Sequence, residues 1–470
     1  MENTVVHFIR YNVPALDEAL LASRYKLKPE DIACFYAEML RNESARMPDN
    51  TSILGPQHRV AFGRPLTEAE YISLWCNETS SGGRTFFLHY FLIPKRKKKS
   101  TGSGTVYDRR LNVLIVGLDG TSRLNTIRQL PRTRRFLTRT LNAFEFRGYT
   151  KVGINSFPNL MPFMTGKSGE AVRESVGNRY ITQLLSLRDQ RIFAYLWFTW
   201  LTHDHLNTVG YLDQPLEAML KSLYACGALN DTALLVFADH GLRYGLSRMT
   251  EVGRQEDAMP ACLLALPLHF LRRYPEAVVN LEVNQRRLVT AYDLHATLLT
   301  LAELPRFKPA VTARGLSLFG RIPPERTCSD AYVPDEFCPC ADEYVVSRQQ
   351  PAAVSQLSLA VVAYINKMAT ATFPGKCNWW ELMRVENAAF SKPLNGTSGD
   401  DKQLLFRLTL VTAPEAFFEV SGYATPGRAA NSWREMRVTA IERLDAFKNQ
   451  TMCLPLHDYQ KLCRCRLMWW

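Results

Sequence analysis

Three segments of this chain share a pattern: an apolar run that breaks into acidic and imidazole side chains. Asn112–Leu118 (NVLIVGL) leads into Asp119, then Gly120, Thr121, Ser122 and Arg123. Ile192–Leu201 leads into Thr202-His203-Asp204-His205-Leu206-Asn207, and Ala233–Ala238 (ALLVFA) into Asp239-His240-Gly241. One Asp after an apolar run ordinarily caps the next helix. Three such ends, two of them adding His, form a donor set of carboxylates and imidazoles that suits a divalent cation, zinc above all, with calcium left open. A nucleophile is offered by Ser156 in Gly153-Ile154-Asn155-Ser156-Phe157-Pro158-Asn159, just before Leu160–Thr165, which reads as the start of a helix. A serine there has backbone N–H groups and the positive helix end beside it, which favours an anionic substrate. Taken alone, the segment reads as a plain helix cap in preference to a nucleophile. Arg123 suits either an oxyanion or an outlying salt bridge.

These residues need a scaffold. Continuous apolar runs read as strands buried on both faces. Between them lie amphipathic stretches of helical length, Thr133–Asn142, Arg179–Arg188 and Leu216–Tyr224. The alternation predicts an α/β core over residues 107–325, its mainly parallel central sheet flanked by helices. In such sheets ligands gather beyond the carboxyl ends of the strands. Residues 1–106 read as a small N-terminal region, with strands at Tyr71–Trp75 and Thr85–Leu92. It ends in the basic run Lys95–Lys99 and the linker Ser100-Thr101-Gly102-Ser103-Gly104. Residues 326–470 read as a cysteine-rich α+β region with strands at Gln403–Val411 and Ala416–Tyr423.

The set NVLIVGLDGTSR, NSFPNLMPFMTG, THDHLN and FADHG resembles the alkaline phosphatase superfamily, which includes phosphatases, nucleotide pyrophosphatases/phosphodiesterases, sulfatases and cofactor-independent phosphoglycerate mutases. It is more similar still to the animal family called domain of unknown function 229, which carries these motifs in this order. That similarity extends to RGLSLFGRIPPERTCSDAYVPDEFCPC, residues 314–340, and Cys34 and Cys76 fit the family's N-terminal pattern. The resemblance implies an alkaline phosphatase-like fold and a metal-dependent hydrolase of phosphate or sulfate esters with Ser156 as nucleophile. It implies that Asp119, Ser156, Asp239 and His240 hold one cation. Asp204 matches a ligand of a second, with His203 or His205 as helpers. There are departures. Asn207 stands where the phosphodiesterases place a His, and no later His (His269, His295, His457) has a supporting motif. His295, in AYDLHATLLT, reads as a helix histidine. Asn159 and Leu160 do not continue a formylglycine sulfatase motif. The alternative reading is therefore a catalytically degenerate secreted binding protein on the same fold. Thr165-Gly166-Lys167-Ser168 is no phosphate-binding loop, because Met161 stands where that loop needs Gly.

Composition narrows the partners. A hydrophobic share of 46% with 22% charged residues is that of a globular chain. The net charge of +12 permits an acidic partner without naming one. The run Lys95–Lys99 lacks interleaved aromatics, so a solvated loop is expected, not a nucleic-acid site. The expected partner is an anionic small-molecule or glycan ester. The apolar stretches Ile192–Leu201 and Ala261–Leu271 fall short of the ~18–20 residues of a membrane span, so no transmembrane segment is expected. The chain has eleven cysteines, crowded towards its end. Cys338-Pro339-Cys340 and Cys463-Arg464-Cys465 are spaced too tightly for common zinc modules, which favours disulfides in an oxidising compartment. Cys226 and Cys262 are expected to be free. Sequons at Asn42, Asn50, Asn77, Asn230, Asn395 and Asn449 agree with a secreted or lumenal glycoprotein. Met1–Arg10 has no signal-peptide pattern.

Overall fold

The computed structural model describes residues 5–9, 13–41, 52–66, 71–79, 84–92, 110–171, 192–340, 344–345, 351–391, 403–429, 432–445, 447–455 and 457–466. The helix expected at Arg179–Arg188, the run Lys95–Lys99 with its linker, and the sequons at Asn42, Asn50 and Asn395 lie outside them. The described residues divide into two compact units, one ending before Tyr107 and one beginning there.

The first unit pairs β1 (Val6–Ile9) with β2 (Val13–Leu16). Its main sheet is antiparallel. It is built from β3 (Ile32–Arg41), β4 (Ser52–Leu54), β5 (His58–Arg59), β6 (Tyr71–Glu78) and β7 (Thr85–Leu92). Cys34 on β3 faces Cys76 on β6, and the two form a disulfide.

The second unit holds the α/β core. Its sheet runs β10 (Phe193–Phe198), β8 (Asn112–Leu118), β11 (Thr232–Phe237), β12 (Cys262–Ala265), β9 (Phe144–Glu145). Strands β10, β8 and β11 are parallel, while β12 and β9 are antiparallel to their neighbours, so the sheet is mixed. The reason lies in the chain path. Between Phe237 and Cys262 the chain forms the loop after β11 and the helix Glu251–Ala258, then returns as β12 in the opposite direction. Side chains alternate across the sheet. Ala233, Leu235 and Phe237 pack on one face with Leu294 and Leu301 of the helix Ala291–Ala302. Leu234, Val236 and Ala238 pack on the other with Leu216 and Leu220 of the helix Asp213–Ala225. Burial on both faces explains why β11 reads as an unbroken apolar run.

The same unit carries a second, antiparallel sheet, ordered β13 (Tyr344–Val345), β14 (Glu381–Ser391), β15 (Leu404–Ala413), β16 (Ala416–Pro426), β17 (Trp433–Arg443). The helix Pro351–Thr372 lays Leu357, Val361 and Ile365 against Phe406, Leu408 and Phe418 of that sheet. The sequence reading passed this helix over. By length and composition Ala352–Thr372 is long and apolar enough to cross a membrane, yet half of it is buried within the fold. Disulfides join Cys328 to Cys338, Cys377 to Cys463 and Cys453 to Cys465. Cys463 and Cys465 thus take separate partners. Cys226 and Cys262 are free, and Cys340 joins them.

Candidate functional site

The strand ends converge because of register. Phe198 of β10 lies level with Leu118 of β8, and Phe237 of β11 with Gly117. Two further residues along β11 bring Asp239 level with Asp119. Strands β10 and β11 flank β8 on opposite sides, so the crevice opens at the carboxyl end of β8. Gly120 turns the chain away at φ +67, a left-handed conformation that favours glycine, with the His203 backbone closely packed behind it.

Donor atoms of Asp119, His203 and His240 lie within 4.8 Å of one another. Ser156, first residue of the helix Ser156–Thr165, places Oγ 3.3 Å from Asp119 Oδ1, to which it donates, and 3.5 Å from His240 Nε2. His240 Nε2 is also 3.3 Å from Asp239 Oδ2 and 3.7 Å from Asp119 Oδ1. Asp239 Oδ1 accepts from the backbone N–H groups of Gly120 and His240. Its Oδ2 is buried with no hydrogen-bond partner. His240 Nδ1 is 2.7 Å from the Gly241 carbonyl oxygen, to which only a protonated nitrogen can donate. The Nε2 lone pair of a neutral ring is then left facing the carboxylates. Gly241 is itself required here, since a Cβ would sit 2.2 Å from the Glu256 carbonyl oxygen.

The electrostatics follow from this crowding. Burial, then the Asp239 carboxylate, push the Asp119 carboxyl above its ordinary value, against lowering by His240, His203 and a hydrogen bond with Thr199. Burial pushes His240 down, towards the neutral ring. Two carboxylates and a neutral imidazole facing one another, with an orphaned buried oxygen among them, form a donor set that, among the described residues, has no Lys or Arg at its centre. That set fits a divalent cation.

Other predicted residues lie apart. Asp204 is exposed and its Oδ1 lies 2.7 Å from His203 Nδ1, which also holds the Asp204 carboxyl below its ordinary range. It orients His203 and leaves that ring's Nε2 as the free donor. His205 is exposed, and Asn207 accepts from Gln129 Nε2 at 2.9 Å. Arg123 Nε lies 3.0 Å from Glu145 Oε1, and Arg134 shares that carboxylate. His295 Nδ1 is 3.0 Å from the Phe163 carbonyl oxygen on its helix neighbour, a satisfied core histidine. The sequence reading missed Thr199, which touches Asp119, and the pair Arg243 and Tyr244. The Tyr244 ring centroid is 6.1 Å from that of His203, and the Arg243 guanidinium lies 4.9 Å from the Tyr244 ring. Their signal was position alone, beyond the ends of β10 and β11.

A buried ion-pair chain stands behind the loop after β11. Lys151 Nζ is 2.7 Å from Asp257 Oδ2, Arg248 Nε is 3.1 Å from the same oxygen, and two further Arg248 N–H groups donate to Glu419 of β16. The Asp257 carbonyl accepts from the Gly241 N–H at 2.9 Å, tying this chain to the loop that carries His240.

A strand-end acidic and imidazole centre in an α/β sheet defines the class. The particular family follows: the chain belongs to the family described as "Protein of unknown function (DUF229)", whose model matches residues 1–182 and 176–386. No curated protein matches the chain. Among solved structures, a protein in the alkaline phosphatase superfamily from Vibrio parahaemolyticus is 11% identical with a TM-score of 0.28, over 70% of this chain and 83% of that one. A likeness of that degree decides nothing about this chain.

Proposed function

We propose that the chain is a metal-dependent hydrolase of phosphate or sulfate esters with Ser156 as its nucleophile, on an alkaline phosphatase-like fold. The observation that carries this reading is the Asp119, His203 and His240 donor cluster, with Ser156 Oγ at 3.3 Å and the orphaned Asp239 oxygen beside it. Asp119, Asp239, His203 and His240 would hold one cation, and two imidazoles with carboxylates favour zinc over calcium. Such a cation, when bound, lowers the pKa of the serine hydroxyl and offsets charge developing on the ester. Ser156 Oγ attacks phosphorus or sulfur in line, its proton passing to solvent. The bond to the leaving oxygen breaks, and that oxygen takes a proton from solvent. Water then hydrolyses the seryl ester and restores the hydroxyl. The positive end of the helix Ser156–Thr165 faces the anion throughout. Asp204 serves as a support for His203, and Arg123, held by Glu145, serves the scaffold.

Four disulfides, together with exposed sequon residues at Asn230 and Asn449, support a secreted or lumenal setting. A second reading, a binding protein without turnover, draws on Asn207 being engaged by Gln129. Metal analysis of the purified protein and hydrolysis of aryl phosphates and sulfates separate the two. Bound zinc with turnover that Ser156→Ala abolishes supports the hydrolase. Zinc without turnover leaves the binding protein, and no metal with a silent Ser156→Ala change sinks the hydrolase.

A further inference from the structure

A cavity of about 870 Å³ opens beside Ser156, its near wall including Asn155 and Phe157 on either side of that serine and Arg243 beyond the β11 loop. Pockets of ~300–1,000 Å³ hold bodies far larger than one oxyanion. The chemistry of the walls says what body. At the near end Arg243 supplies the charge: its Nε is buried without a hydrogen-bond partner, and it is close enough to His240 to lower that ring's pKa. The lining mixes acids, Asp335, Glu336 and Glu442, with the basic residues Arg443 and Lys461, and Glu442 is paired with Arg248 at 3.5 Å. Asp335 accepts from the Tyr423 hydroxyl. Burial, followed by Asp335 and Glu442, pushes Glu336 up, and the nearby cation Lys151 is engaged by Asp257. Glu336 therefore holds its proton more tightly than a free glutamate.

Arg314 adds fixed donors. Its guanidinium lies over the Tyr332 ring at 4.9 Å and the Tyr292 ring at 5.7 Å, and Nη1 donates to the Tyr292 hydroxyl at 3.2 Å. A wall of interleaved donors and acceptors is best satisfied by hydroxyl groups, which do both. An acyl chain would leave these polar groups buried and unpaired. A second phosphate would meet the carboxyls of Asp335 and Glu336.

We infer that this cavity receives a polyhydroxylated, otherwise uncharged body, a sugar or polyol, whose single phosphate or sulfate ester lies beside Ser156. This rests on the reading of Ser156 as nucleophile for its orientation, but its test does not need turnover. Titration calorimetry on zinc-loaded Ser156→Ala protein compares glucose 6-phosphate and glucose 6-sulfate with phenyl phosphate and adenosine 5′-diphosphate. The sugar esters bind at least about tenfold more tightly than either comparator, because their hydroxyls pair with polar groups of the wall. Glu336→Ala reduces that advantage about tenfold. Equal affinities, tighter binding of the diphosphate, or no binding by any probe overturns the inference. Hydrolysis of p-nitrophenyl phosphate by the unaltered protein is read separately. Its failure counts against the hydrolase and leaves the binding series to decide about the cavity.

Discussion

Two buried groups of carboxylates sit close together in the second unit, and the fold treats them in opposite ways. Asp257 and Glu419 are met by Lys151 and Arg248, and both carboxyls are held below their ordinary values despite complete burial. Among the described residues, the ion pairs of Asp119 and Asp239 are with His240, whose burial favours the neutral ring, and Asp119 is pushed upward. Burying a charge is tolerated when a partner charge is fixed beside it. The first group finds that partner within the chain. The second does not, and the difference supports the proposal that it receives an external cation. The compensated group also has a task towards the other, since Asp257 accepts from the backbone of the loop that carries His240.

The sharpest way to break this comparison is to make the compensated group resemble the other. Lys151→Met leaves Asp257 with Arg248 alone in full burial, and removing one member of such a pair costs up to about 3–5 kcal/mol. Asp239→Asn in chelator-treated protein costs less than about 1 kcal/mol, because the amide oxygen keeps the two backbone bonds of Oδ1 and no ion pair with Lys or Arg is lost. Urea unfolding measures both. Similar losses would mean that the two groups are held alike. Next in size is the cation itself. Zinc at 100 times its dissociation constant raises the stability of the chelated protein by about 2.7 kcal/mol. Asp239→Asn removes most of that gain in a thermal unfolding series, and an undiminished gain would place the cation elsewhere.

How much of this could be read from the sequence differs between the two groups. Asp119, Asp239 and His240 follow apolar runs directly, so their convergence follows from parallel pairing and needs no knowledge of side-chain contacts. The strands β8 and β11 were legible for the same reason, being buried on both faces. Glu419 meets Arg248, 171 residues away in sequence, and through it Asp257, and no local pattern announces such a pairing. The antiparallel return of β12 was equally hidden, because four apolar residues carry no direction. The helix Pro351–Thr372 was passed over because its small and polar residues dilute the apolar face. Asp204 reads as a ligand by motif, and the 2.7 Å contact with His203 Nδ1 is what favours the proposed supporting part.

That supporting part gives a smaller and more selective test. Asp204→Asn keeps a polar group beside His203 but weakens its hold on the ring, and loss of such outer partners costs ~10–100-fold in metal affinity. Competition with a chromogenic chelator reads the change. An effect on affinity with little effect on metal-free stability is expected, because Asp204 is exposed. Loss of zinc altogether would instead make Asp204 a direct ligand.

The smallest effect belongs to pH. The Glu419 carboxyl is held below its ordinary value of 4.5, against the cost of burial, chiefly by the Arg248 charge and its hydrogen bonds. A depressed carboxylate contributes stability that is present above the unfolded value and is lost as pH falls through the folded one. Glu419→Gln cannot titrate, so the unaltered protein is the more stable of the two at neutral pH. The gap narrows only below 4.5, as Glu419 takes up its proton. Measuring both proteins in chelator lets the metal-free centre contribute alike to each and drop out of the difference. The effect is modest because Arg248 keeps Asp257 as a partner after Glu419 is neutralised. A gap unchanged from neutral to strongly acidic solution would mean that Arg248 does not hold the carboxylate down, and the contrast between the two buried groups would lose its electrostatic basis.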